Sequence, residues 1–126
     1  MTIIESLSAV TLITGDMARA VRFYETLGFE QIYGGETAEF TSYRAGSGYL
    51  NLAYRVDAPA AALWGRAIFY VHDVDAVYRT AVEAGFEPEF APRDARWGER
   101  YFHLRDPDGH ELSFARPLPE KASDPR

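Results

Sequence analysis

The feature that most constrains the fold is an internal repeat. Asp, Gly, Phe and Glu recur in the same order 57 residues later, first as Asp16 and Gly28-Phe29-Glu30 and then as Asp73 and Gly85-Phe86-Glu87. Further along, Arg44 and Gly48 recur as Arg105 and Gly109, at a spacing of 61 residues. The change in spacing predicts a short loop insertion within 91–99. The chain is therefore predicted to contain two copies of one supersecondary unit.

Each copy has the pattern of a βαβββ unit. In both, an Asp at a helix N-cap position follows a strand, apolar residues recur at helical spacing, and a Gly ends the helix. The predicted strands of the first copy are Leu7–Thr14, Phe29–Tyr33, Ala38–Ala45 and Tyr49–Tyr54. Those of the second are Ala67–Val71, Phe86–Phe90, Arg100–Arg105 and His110–Phe114.

These elements predict one α+β domain over residues 1–116. It contains module one at 5–55, a linker at 56–65 and module two at 66–116. The last ten residues, 117–126, contain three prolines among mixed charges and are predicted to form a flexible tail.

Composition excludes several classes of function. The net charge of −6 argues against a nucleic-acid-binding surface, and the absence of cysteine excludes disulfides and thiolate sites. No signal peptide and no apolar run long enough to cross a membrane can be recognised. We therefore predict a cytoplasmic protein without nucleic-acid or membrane partners.

Three stretches carry a resemblance to a known family. The helix ending in Arg22-Phe23-Tyr24-Glu25-Thr26-Leu27-Gly28-Phe29, the run Val71-His72-Asp73-Val74-Asp75-Ala76, and Phe102–Leu112 with its Asp106-Pro107-Asp108-Gly109 turn resemble the vicinal oxygen chelate superfamily. This superfamily comprises glyoxalases, bleomycin resistance proteins and extradiol dioxygenases. The resemblance implies two βαβββ modules forming a curled mixed sheet with a central cavity, and a homodimer.

The resemblance also implies where metal enzymes of the family place their ligands, on the first and last strands of each module. In this chain those positions carry Ala9, Leu52, Arg66 and Ser113. Alanine and leucine offer no electron pair, a guanidinium repels a cation, and one serine hydroxyl is a weak ligand. We therefore predict no metal and no cofactor. Glu111, expected on the same strand face as Ser113, is the remaining candidate ligand.

The predicted cavity face is mostly apolar, with Leu50 and Leu52 in module one, and carries a few polar groups. The candidate ligand-binding residues are Arg66, Tyr70, Glu111, Ser113, Trp64 and Trp97. An inward guanidinium can clamp a carboxylate or phosphate. The alternative for Arg66 is an ion pair with Glu111. The tryptophans can cover a pocket, anchor a dimer interface or pack within their loops.

The face occupied by His103 and Tyr101 depends on strand register. If Arg105 pairs with His110, both side chains face the helices, whereas a register one residue away turns them into the cavity.

Two functions follow from the resemblance. The first is a metal-free small-molecule-binding protein of the bleomycin-resistance type, which sequesters a planar or anionic ligand. The alternative is a glyoxalase-like lyase or a dioxygenase, either metal-dependent or with Glu111 as the general base. A purely structural module, whose cavity is filled by its own side chains, is the third hypothesis.

Overall fold

The computed structural model describes residues 3–60, 62 and 64–119. The chain divides into two compact units, Met1–Pro59 and Ala60–Arg126, and the boundary between them falls within the predicted linker. Residues 120–126 of the predicted tail lie outside the described residues. Among the helices that are described, none has the length and hydropathy needed to cross a membrane.

The first unit is a βαβββ module. Its elements are β1 (Ala9–Thr14), α1 (Met17–Thr26), β2 (Glu30–Tyr33), β3 (Phe40–Ala45) and β4 (Gly48–Tyr54). They form a four-stranded sheet in the order β1-β4-β3-β2. β1 and β4 are parallel, while the β3–β4 and β2–β3 pairs are antiparallel, so the helix crosses over between β1 and the rest of the sheet.

The second unit repeats this topology. Its elements are β5 (Arg66–Tyr70), α2 (Val74–Glu83), β6 (Arg93–Asp94), β7 (Glu99–Arg105) and β8 (Glu111–Pro117), in the sheet order β5-β8-β7-β6. β5 and β8 are parallel, and the other pairs are antiparallel. The predicted α+β fold with two βαβββ modules is confirmed.

Each sheet has one face covered by its helix and one open face. In the second unit, the covered face carries fully buried side chains of β7 and β8, namely Phe102, Leu104, Leu112 and Phe114. Because successive strand residues point to opposite faces, the residues between them lie on the open face. The open face of the second sheet is where the polar and aromatic candidates of the sequence converge.

Both helices begin and end where the repeat predicts. The carboxylates of Asp16 and Asp73 accept hydrogen bonds from the N–H groups of Arg19 and Ala76, at 3.1 and 3.0 Å. After each helix, a glycine takes a positive φ that other residues rarely adopt, as at Gly28 with φ of 99°. The special residues of the repeat are thus helix boundaries.

Asp73→Ala is expected to lower the free energy of unfolding by about 1 kcal/mol, because the N–H of Ala76 loses its partner at the start of α2. Urea denaturation followed by tryptophan fluorescence measures the loss. Glu83→Ala, at the exposed last residue of the same helix, is the control and is expected to cost nothing. An equal loss in the two variants would contradict the cap.

Two predicted strands of the second copy differ most from the structure. Phe86–Phe90 is not a strand; the short edge strand is β6, at Arg93–Asp94. Pro88 has no backbone N–H and interrupts a ladder, so this segment keeps one cross-strand bond, from the Glu89 N–H to the His103 carbonyl at 2.9 Å. β8 also extends beyond its predicted end to Pro117, which begins the predicted tail.

Candidate functional site

The register between β7 and β8 determines which side chains share the open face. Arg105 pairs with Glu111 and His103 pairs with Ser113, so the pairing of Arg105 with His110 does not occur. His103 and Tyr101 therefore lie on the open face together with Glu111 and Ser113. This is the second of the two registers that the sequence left open.

A pocket of about 580 Å³ lies on this face of the second unit. Its lining includes Arg66, Ile68, Trp97, Tyr101, His103 and Ser113. Three of the predicted site residues, Arg66, Trp97 and Ser113, thus border one pocket. Polar groups of the lining stand beside aromatic and aliphatic surface, which is the usual composition of a small-molecule site.

Aromatic rings form a row along β7. The ring centroids of Trp97 and Tyr101 are 5.4 Å apart, and those of Tyr101 and His103 are 5.2 Å apart. The Arg93 guanidinium lies 3.8 Å from the centroid of Phe90, and it donates to the Tyr101 hydroxyl at 3.2 Å. The planes of neighbouring rings are tilted by 43° between Trp97 and Tyr101 and by 60° between Tyr101 and His103. The row therefore offers separate ring faces with a cation at its edge, and a flat molecule can stack on one of them.

Arg66 and Glu111 are directly opposite each other on β5 and β8. An Arg66 Nη2 donates to Glu111 Oε1 at 3.3 Å, so the ion pair that the sequence offered as an alternative is present. The two side chains differ in exposure: Glu111 is 6% exposed, whereas Arg66 is 43% exposed. The guanidinium therefore neutralises a buried carboxylate while part of it remains accessible to solvent in the pocket.

Tyr70 does not line the pocket itself. Its hydroxyl donates to the carboxylate of Glu99, which borders the pocket and is 5% exposed. The indole N–H of Trp97 donates to the other oxygen of the same carboxylate at 3.1 Å. Glu99 thus fixes the orientation of Trp97. No pattern in the sequence singles out Glu99.

Trp64 lies elsewhere. Its indole N–H donates to His110 Nδ1 at 3.1 Å, beside the turn that precedes β8. Half of its surface is exposed, and it is not among the residues that border the pocket. A role for Trp64 as an interface anchor stays a prediction.

Glu89, His103 and Glu111 form a cluster that the sequence did not anticipate as a group. One donor atom from each lies within 4.8 Å of the others. Burial, followed by the nearby Arg66 guanidinium, lowers the pKa of His103. Burial, followed by the negative charge of Glu111, raises the pKa of Glu89. The prediction from the sequence treats Glu111 and His103 separately. It does not include Glu89, because Glu89 reaches the cluster from the irregular segment before β6.

The positions that the resemblance assigns to metal ligands do not fit a cation. Arg66 presents a guanidinium, and Ser113 has a single hydroxyl. The placement of Leu52 on the open face is wrong, as is that of Leu50. Leu52 pairs with Leu12, and the side chains of Leu50 and Leu52 are both buried on the helix-covered face.

The turn before β8 explains this error. The Asp106 carboxylate accepts from the N–H groups of Asp108 and His110, both at 2.9 Å, in a turn longer than the one before β4. The number of residues that separates equivalent positions of the two modules is therefore larger by one after the turn than before it. Asn51, instead of Leu52, shares the open face with Thr11, and its amide donates to the Thr11 hydroxyl at 3.2 Å.

Comparison with known proteins finds relatives in sequence and in structure. An uncharacterized protein of Mycobacterium bovis is 42% identical over 50 residues, which are 40% of this chain and 33% of that protein. The matched stretch thus spans about a third of that relative.

Among solved structures, a bleomycin-binding protein complexed with bleomycin aligns over 90% of this chain and 98% of its own, with a TM-score of 0.70 and 23% identity. A lactoylglutathione lyase from Agrobacterium tumefaciens aligns over 90% and 95%, with a TM-score of 0.71 and 20% identity. These likenesses show a common fold.

The family model described as "Glyoxalase/Bleomycin resistance protein/Dioxygenase superfamily" matches residues 6–114. That range contains the first βαβββ module, the second one up to the middle of β8, and the residues that line the pocket of the second sheet. The chain therefore belongs to the glyoxalase/bleomycin resistance protein/dioxygenase superfamily.

Proposed function

We propose that this protein binds and sequesters a small planar molecule with an anionic group, in the pocket on the open face of the second sheet. The observation that carries the proposal is the row of Trp97, Tyr101 and His103 beside the half-exposed guanidinium of Arg66. Flat aromatic surface binds the ring system of such a ligand, and the guanidinium binds its charge.

The state of Arg66 supports this role. Within the described part of the chain, its guanidinium makes one hydrogen bond, to Glu111, and several N–H donors remain for a ligand. Glu99 holds the indole of Trp97 in place before any ligand arrives, which reduces the entropy lost on binding. The ligand would be held by side chains alone, without a cation at Ala9, Asn51, Arg66 or Ser113.

The bleomycin-binding neighbour, whose structure is a complex with bleomycin, offers a precedent for the binding of a small molecule on the same fold. Since its identity to this chain is 23%, the precedent concerns the type of function and not the ligand. We therefore define the ligand of this chain by chemistry, as a fused or conjugated ring bearing a carboxylate or phosphate.

Arg66→Met is expected to weaken the binding of such a ligand by about 10-fold to 100-fold, the loss of one charged hydrogen bond. Aromatic carboxylates and their uncharged amides serve as paired probes, and quenching of the two tryptophans, both in the second unit, measures affinity. The carboxylates are expected to bind more tightly than the amides, and mass spectrometry is expected to recover them unchanged.

Arg79→Met is the matched control, because Arg79 is an exposed arginine on α2. It is expected to leave the affinity as it is. If Arg66→Met and Arg79→Met bind the carboxylates equally well, or if amides bind as tightly as carboxylates, Arg66 does not recognise the charge and the proposal is wrong.

A lyase or dioxygenase reaction is the second candidate. The observation in its favour is that Glu111 Oε2 points away from Arg66 and lies 3.4 Å from His103 Nδ1, so one oxygen of a buried carboxylate is placed to take a proton. Mass spectrometry separates the two functions. A new product that disappears in Glu111→Gln would favour the enzyme over the binding protein.

A further inference from the structure

Three side chains from three separate segments bring electron-pair donors to one point. His103 comes from β7, Glu111 from β8, and Glu89 from the segment before β6. The Glu89 N–H donates to the His103 carbonyl at 2.9 Å, which fixes this segment against β7. We propose that Glu89, His103 and Glu111 bind one divalent transition-metal cation, at positions unrelated to the four that the resemblance marks.

The distances between the donors suit a cation better than they suit hydrogen bonds. His103 Nδ1 lies 3.4 Å from Glu111 Oε2 and 3.9 Å from Glu89 Oε1. Both separations exceed the usual length of a hydrogen bond. A tetrahedral cation with bonds of about 2.1 Å holds neighbouring donors about 3.4 Å apart. Two of the three separations are within about 0.5 Å of this spacing, and all three donor atoms lie within 4.8 Å of one another.

Arginines hold the outer oxygens of both carboxylates. Arg66 lies 3.3 Å from Glu111 Oε1, and Arg105 lies 3.4 Å from Glu89 Oε2. The inner oxygens, Glu111 Oε2 and Glu89 Oε1, are left facing the imidazole. Contacts of this kind orient metal ligands in known sites. The same arginines reduce the negative charge of the cluster, so affinity has to come from direct coordination.

The chemistry of the three donors also suits a cation. One imidazole nitrogen and two carboxylate oxygens are ligands that Zn²⁺ and Mn²⁺ accept.

The experiment is calorimetric titration of the full chain with ZnCl₂ and, separately, MnCl₂, without any organic ligand. Saturable binding of one ion per chain is expected. Glu89→Gln and His103→Gln are each expected to weaken it by at least about 10-fold. Glu89 is about a third exposed, so Glu89→Gln keeps the fold, and far-UV circular dichroism without metal verifies this for both variants.

Two controls exclude other coordinating side chains. Glu87→Gln and His72→Gln remove an exposed carboxylate and an exposed imidazole of the same unit, and both are expected to bind metal like the unmodified protein. The absence of saturable binding up to about 1 mM of either ion would overturn the proposal. Equal binding by Glu89→Gln and Glu87→Gln would do the same. Because no organic ligand is present, these outcomes leave the proposed binding of a planar anion to be decided by its own experiment.

Discussion

Phe102→Ala is expected to destabilise the protein by about 3–5 kcal/mol, the range for removing a large aromatic side chain from a core. Phe102 is fully buried between the second sheet and α2. Its ring centroid lies 5.5 Å from that of Phe114, in a stacked arrangement, and 5.5 Å from that of Tyr78, edge to face. Alanine would remove both contacts and leave a cavity that the sheet and helix cannot close.

A domain of this size is commonly stable by about 5–15 kcal/mol, so the variant loses a large part of its stability. Urea denaturation monitored by tryptophan fluorescence reports on the second unit, which contains both tryptophans. Val82→Ala is the control, since the Val82 side chain is 48% exposed on α2 of the same unit and its removal is expected to cost much less. Comparable losses for the two variants would show that Phe102 is not part of a packed core.

Gly34→Ala is expected to cost about 2–6 kcal/mol through two independent effects. The φ of Gly34 is +91°, a conformation that strains any residue with a Cβ. A Cβ at this position would also lie 2.3 Å from the Phe40 carbonyl oxygen and 2.7 Å from the Thr41 Cα. These are backbone atoms of β3, so the clash can be relieved only by shifting the strand.

Gly28→Ala separates strain from clash. Gly28 has a similar φ of +99°, but no atom lies within 4 Å of the position its Cβ would take. Its expected cost is the strain alone, about 1–3 kcal/mol. Far-UV circular dichroism during urea denaturation measures both variants. If Gly34→Ala and Gly28→Ala have the same stability, the loop after β2 does not approach β3 as closely as described.

Much of the fold could be predicted because its signals are local. Asp16 and Asp73 cap their helices with hydrogen bonds to residues three positions away, and Gly28 and Gly85 end them with positive φ. Such features depend on a few neighbouring residues and not on the rest of the chain. The repeat then places a whole βαβββ module on each copy.

The register of strand pairing could not be predicted to the residue. The errors in the predicted site came from this uncertainty in the register. The prediction that Leu52 lies on the open face is wrong by one residue, since Asn51 occupies that position. The cause is that the turn containing Asp106 is longer than its counterpart in the first module. Side chains alternate between the two faces of a sheet, so an error of one residue moves a side chain from the covered face to the open face. For the same reason, the sequence could not choose a face for His103, which pairing with Ser113 places beside Glu111.

The candidate site was partly predictable. Arg66 and Ser113 border the pocket as the strand pattern predicts, and Trp97 borders it from the loop before β7. Arg66 forms the ion pair with Glu111 that was one of its two alternatives. Glu89 is missed because the sequence predicts a strand for the segment that carries it. In a strand, pairing would set the direction of the Glu89 side chain, whereas in the structure the segment is irregular and brings Glu89 to His103.

The amino-acid sequence by itself determined the number of modules, their element order, the helix boundaries and the family to which the chain belongs. These rest on hydrogen bonds and backbone angles set within a few residues, and on a pattern that occurs twice. The tertiary structure alone decided that His103 and Tyr101 lie on the open face of the second sheet and that Glu89 comes close to His103 and Glu111. Strand pairing joins residues far apart in the chain, and the length of a single turn sets its register.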